Sequence, residues 1–134
     1  VAWITLGAMP VAGDPTDALR ALDHALDAPR GAGVPLGNWR WSVRQRLVIV
    51  RDRLLAERLG AQDGWLAARD GAAYRERAEL LTRLTAITPT VLEAPDAEKI
   101  RVQLKRLVLD IAHHVQRVND LVYDDVELEL GGED

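Results

Sequence analysis

Residues 38–59 read NWRWSVRQRLVIVRDRLLAERL, and this stretch settles the fold class. It holds no proline and no glycine. Asn38 is a good N-cap, and Gly60 follows as a helix stop. At about 100° per residue, Trp39, Val43, Leu47, Val50 and Leu54 share one apolar stripe. Trp41, Val48, Leu55 and Leu59 share another, nearly opposite, and Arg40, Arg44, Arg51 and Arg58 line up between the two. A helix that is apolar on two faces is buried on two faces. It is either central in a bundle or part of a subunit interface.

The flanking segments are helical as well. Asp14-Pro15 reads as N-cap and first turn of a helix over 15–28, with Leu19, Leu22 and Leu26 on one side. Glycines and prolines make 28–38 a loop. A third helix is expected over 64–88, capped by Asp63 and ended or kinked near Gly71, with Tyr74, Leu80, Leu81, Leu84 and Ile87 as its apolar surface. Thr88-Pro89 stops it and starts a single turn containing Val91 and Leu92. Pro95-Asp96 opens the last and longest helix, 96–124, with Asp96 and Glu98 at the positive end of its dipole. There Ile100, Leu104, Leu107, Ile111, Val115, Val118 and Val122 recur at intervals of three and four. Four such segments on short loops predict an all-α antiparallel bundle of four main helices. The two ends are less regular. Ala2–Leu6 reads as a short strand, and Val126–Leu130 alternates with period two. The termini are expected either to pair as strands or to stay an N-terminal arm (1–14) and an acidic C-terminal tail (125–134), the latter a frayed helical end.

At 134 residues, 48% apolar and 28% charged, the chain is one soluble domain. A domain of this size builds a core without disulfides or a structural metal. The absence of cysteine excludes thiol catalysis and Cys-ligated zinc. No run approaches a transmembrane span, so no membrane partner is expected. The first residues lack a basic segment followed by a long apolar one, so a cytoplasmic protein is expected. Arg supplies all the basic residues except Lys99 and Lys105, the bias of a GC-rich bacterial coding sequence. The net charge of −4 conceals an asymmetry. Residues 1–119 carry 17 basic and 14 acidic side chains, a net of +3; residues 120–134 carry seven acidic and no basic ones, a net of −7. Such an end disfavours nucleic acid.

Few residues suggest chemistry. Asp110 and His114 lie one turn apart, while His113 points to the other side of the same helix. A metal site in the bundle would combine Asp110 and His114 with His24, or with a carboxylate such as Asp23 or Glu57. The chain lacks both His-x-x-x-His and paired Glu-x-x-His, the patterns of metal-binding bundles. The run Gly31 to Gly37 fits no phosphate-binding motif and stands between two helices. Ser42, the single serine, has no evident base, so no catalytic set is assigned. No cofactor is called for. Trp39, Trp41 and Trp65 near arginines would suit a flat anion, though core or interface packing is the commoner use.

The sequence therefore points to a non-enzymatic interaction module, self-associating as a homodimer or holding a protein partner. Its interaction surface would comprise Arg40, Arg44, Arg51, Arg58, Trp39 and Trp41, with the acidic end of one chain meeting the basic surface of the other. The second reading is a ligand- or metal-binding bundle, or an enzyme, built on Asp110, His114 and His24. The third is a nucleic-acid adaptor using the Arg ladder.

Overall fold

The computed structural model describes residues 15–28, 35–57, 59 and 64–131, with side chains described outside 64–70 and 122–131. The N-terminal arm, Asp14, Arg58 and Asp63 lie outside the described residues, as does the side chain of Trp65. Five helices follow one another: α1 (Thr16–Leu26), α2 (Leu36–Ala56), α3 (Gly64–Ile87), α4 (Thr90–Glu93) and α5 (Ala97–Gly131). Among the described residues there is no strand. The protein is an all-α bundle of four main helices, with α4 as a single turn between the last two.

Each helix starts and stops for a local reason. Pro15 precedes α1, and its carbonyl accepts the first helical hydrogen bond from Leu19 N–H at 2.9 Å. The chain enters α2 through Pro35, three residues before the expected cap at Asn38. The side chains of Thr88 and Thr90 donate to the carbonyls of Leu84 and Ile87, both at 2.6 Å, and so satisfy the end of α3 next to Pro89. Asp96 acts as the N-cap of α5, its carboxylate accepting from Lys99 N–H at 3.1 Å. Gly71 does not end α3, which runs through it.

Two expectations are corrected. The alternating segment Val126–Leu130 is helical, being the end of α5. Extending an existing helix adds one bond per residue fixed, whereas a strand needs a partner edge. The second helix stops at Ala56 instead of Leu59, because Glu57 is extended (ψ 132°). Leu59 thereby leaves the outer stripe and is buried.

α1 and α3 each pack against both α2 and α5, so α2 and α5 lie diagonally across the bundle. The expected stripes meet in the middle. Trp39, Val43, Leu47, Val50 and Leu54 of α2 join Leu19, Leu22 and Leu26 of α1, Leu80 and Leu84 of α3, and Ile100, Leu104, Leu107, Ile111 and Val115 of α5. Tyr74, expected on the apolar surface, is instead exposed, with the Arg77 guanidinium 5.0 Å over its ring. At one end, Arg101 donates to Leu26 O at 3.2 Å and to Asp27 at 2.6 Å, and Lys105 reaches Asp23 and Asp27. This set fastens the C-terminus of α1 to the start of α5 and shows the two to be antiparallel. At the other end, Glu57 meets Arg77 of α3 and His114 of α5, so roughly three turns of α3 and nearly five of α5 continue beyond α2.

A Cβ on Gly71 would meet only the flexible end of Arg75, at 3.5 Å. Gly71→Ala is therefore expected to stabilise the protein by about 0.5–1 kcal/mol, read from the midpoint of urea unfolding.

Candidate functional site

Three polar side chains occupy core-stripe positions at one level of the bundle. Glu57 stands three residues after Leu54, Glu76 between Ala73 and Leu80, and His114 between Ile111 and Val118. Leu54, Leu80 and Ile111 belong to the main apolar cluster; Leu59, Ala73 and Val118 form a smaller one with Leu121 at its edge. Glu57, Glu76 and His114 thus make a polar layer between the two.

His114 has no exposed surface. Its Nε2 lies 2.6 Å from a Glu57 carboxylate oxygen, and its Nδ1 lies 2.5 Å from one of Glu76. Arg117, one turn further along α5, grips Glu76 through Nε (3.2 Å) and through Nη2. Arg77 Nη1 donates to the backbone carbonyl of Glu57 at 2.6 Å, which holds the chain where it leaves α2.

The proton count follows from this geometry. A neutral imidazole has one N–H and one lone pair. A bare nitrogen lone pair facing a carboxylate oxygen at these distances is repulsive. Both contacts are satisfied only when a proton lies in each, so the layer holds one proton more than a neutral histidine and two carboxylates. With Arg117 the charges then sum to zero. Burial opposes the charged form of His114, but the hydrogen bonds and charges of Glu57 and Glu76 outweigh it and raise the imidazole above its ordinary value. Burial likewise opposes ionisation of Glu76, yet the contacts to Arg117 and His114 win and hold its carboxyl below the usual range.

The same geometry argues against a shared metal. The two ring nitrogens point away from each other, so Glu57 and Glu76 do not converge with His114 on one ion. Among the described residues, no group of three His, Asp or Glu side chains is placed to hold a metal. Asp110 pairs with Arg83 of α3 at 2.8 Å, His24 is exposed on α1, and Asp23 binds Lys105. The set His24, Asp110 and His114 is not brought together. Glu57, considered as a ligand beside His114, does reach it, as a hydrogen-bond partner. Glu76 was not singled out in the sequence; the signal was a carboxylate on the stripe of Ala73, Leu80 and Leu84.

The interaction residues divide. Trp39 is core. Arg40 donates to Val91 O at 3.0 Å and ties α4 to α2. Arg44 is half-buried, and Arg51 is exposed beside Asp52 at 3.3 Å. Trp41 is 52% exposed and Leu55 58%, with half-buried Val48 between them. The second stripe of α2 therefore faces outward in the single chain.

A cleft of about 380 Å³ opens beside the polar layer, lined by Ala72, Ala73, Glu76, Arg117, Asp120 and Leu121. Its charged walls already have partners: Glu76 binds Arg117, and Asp120 accepts from Gln116 at 3.1 Å. No helix among the described residues is long and apolar enough to cross a membrane. Comparison with protein-family models, curated proteins and solved structures finds no match.

Removing one member of a buried charged set leaves the others uncompensated. His114→Ala is expected to cost about 3 kcal/mol or more at neutral pH, measured by urea unfolding. The half-exposed Arg83–Asp110 pair should behave differently. A double-mutant cycle with Arg83→Ala and Asp110→Ala is expected to give a coupling below about 1 kcal/mol.

Proposed function

We propose that the chain is a non-enzymatic interaction module that self-associates through the outer face of α2. One observation carries this reading: Trp41, Val48 and Leu55 recur every seventh residue along a face that no other helix among the described residues covers, and its two end residues are more than half exposed. Isolated exposed apolar residues are ordinary, but a row of them at helical spacing is a contact surface in waiting. Tryptophan is the side chain most enriched among residues that dominate interface energies.

Charge favours a second copy of the same chain as the occupant. Arg44 and Arg51 border the stripe. Five carboxylates, at positions 120, 124, 125, 127 and 129, lie on the last turns of α5. The two charge groups are far apart within one chain. Arg51 stands about 9 Å along the axis from Glu57, and Asp124 about 15 Å beyond His114 in the opposite direction. The sum, about 24 Å, is several Debye lengths at physiological salt. The acidic end of one chain is therefore available to the arginines of another.

Sedimentation velocity over a wide range of concentrations tests this. A dimer is expected, with Trp41→Asp and Leu55→Asp each raising its dissociation constant by tenfold or more, about 1.4 kcal/mol. Both variants should unfold at nearly the wild-type urea concentration, because the sites are exposed. A monomer at every concentration removes the reading.

A further inference from the structure

We infer that the Glu57–His114–Glu76 layer is a proton-held latch: one bound proton joins α2, α3 and α5, and its loss frees the end of α2 from the lower bundle while the main core stays folded. The inference is independent of self-association. It rests on the enclosure of the imidazole, on the carboxylate against each of its nitrogens, and on the position of the layer between two apolar clusters.

Among the described residues, little else below the layer holds α2. The smaller cluster consists of Leu59, Ala73 and Val118 with Leu121 at its edge. The main cluster above it contains 18 buried residues from α1, α2, α3, α4 and α5. When the proton leaves, a carboxylate faces a lone pair at hydrogen-bond distance on an imidazole that has no exposed surface. The chain relieves this by moving Glu57, which stands in extended backbone just past the last turn of α2. Breaking the smaller cluster is the cheaper route, so opening is local.

Among the described residues, the charged groups around His114 come from each element packed there. Glu57 comes from α2 and Glu76 from α3. Arg117 lies on α5 and is bound to Glu76, and Arg77 of α3 holds the Glu57 carbonyl. α1 directs Asp23 and Asp27 to Lys105, more than two turns away along α5, and Glu93 of α4 is exposed. His113 is exposed on α5 and lines a surface pocket with Glu76, Glu79, Arg83, Asp110 and Arg117. The sign is then fixed. A histidine raised above its ordinary value contributes stability that is present at lower pH and disappears as pH rises through its folded-state titration. Glu76, held below its ordinary value, adds the converse limit: its contribution disappears as pH falls through its own titration. The latch is closed between these limits and opens on the alkaline side.

The test is an NMR titration of the imidazole nitrogens in the full chain over about pH 5 to 9. His114 is expected to remain doubly protonated where an ordinary histidine, near about 6.5, is neutral. Amide hydrogen exchange is followed in parallel. After correction for base catalysis, exchange at Leu59, Ala73 and Val118 should rise about tenfold or more through the His114 titration, while Leu22 and Leu104 stay protected. Glu57→Gln should lower the pH at which His114 loses its proton by about one unit or more, and with it the pH of opening. A neutral His114 at pH 7 overturns the inference. So does exchange that rises equally in both clusters, since that is global unfolding and not a latch. Should Glu57→Gln fail to fold, the wild-type titration and exchange still decide.

Discussion

His114 occupies a place in the core stripe of α5 that an aliphatic side chain would fill at far less electrostatic risk. Taking an imidazolium and a carboxylate out of water costs several kcal/mol for each ion, and their attraction offsets that only in good geometry. Here the geometry is good on both sides of the ring, and Arg117 adds a second cation to the Glu76 carboxylate. Such a set adds little net stability over apolar packing, but it is intolerant of misplacement. A slide of α3 against α5 by one turn, or an extra turn on α2, would leave a buried charge unpaired. Apolar contact alone is non-directional and would tolerate such slips far better. The polar layer thus fixes the register of three helices at the level where α2 ends.

The other end of the bundle is held by different means. Asp23 and Asp27 meet Arg101 and Lys105 of α5 at a partly exposed surface, and Arg101 also donates to the last carbonyl of α1. The Lys105 and Arg101 contacts hold the Asp27 carboxyl below its usual range. Water and salt reach these groups, so each pair contributes little and can reform after a fluctuation. The core between the ends carries the stability, and the two ionic sets decide alignment. They do so unequally: the α1–α5 set tolerates exchange of partners, and the His114 layer does not.

The sequence made the helices legible because periodicity is a property of one segment at a time. The stripe Trp39, Val43, Leu47, Val50 and Leu54 is buried as its spacing requires, and so is that of Ile100 to Val118. Boundaries were less legible where one backbone angle decides them, as at Glu57. The strand reading of Val126–Leu130 failed for a related reason. A period of two over five residues is weak against the continuation of a long helix. The polar layer was visible only as three anomalies, a carboxylate or histidine on each of three core stripes. Which of them meet is set by how the helices stack, and no single stripe contains that information. Asp110, one turn from His114 in sequence, was the natural partner to suspect, yet it lies on the side of α5 that faces Arg83.

The two faces of α2 illustrate the remaining gap between pattern and role. Both stripes read as buried from composition, but the bundle has only enough helices to cover one. α1 and α3 flank the inner stripe, α4 closes its start through Arg40, and among the described residues no helix lies over Trp41 and Leu55. The carboxylates near the end of α5 sit at the negative end of the helix dipole with no basic residue after Arg117 in the chain. The apolar row of Trp41, Val48 and Leu55, edged by Arg44 and Arg51, and the carboxylates on the last turns of α5 are the two surfaces on which the proposed self-association rests. In that proposal, a second copy placed with the opposite polarity would present each to the other.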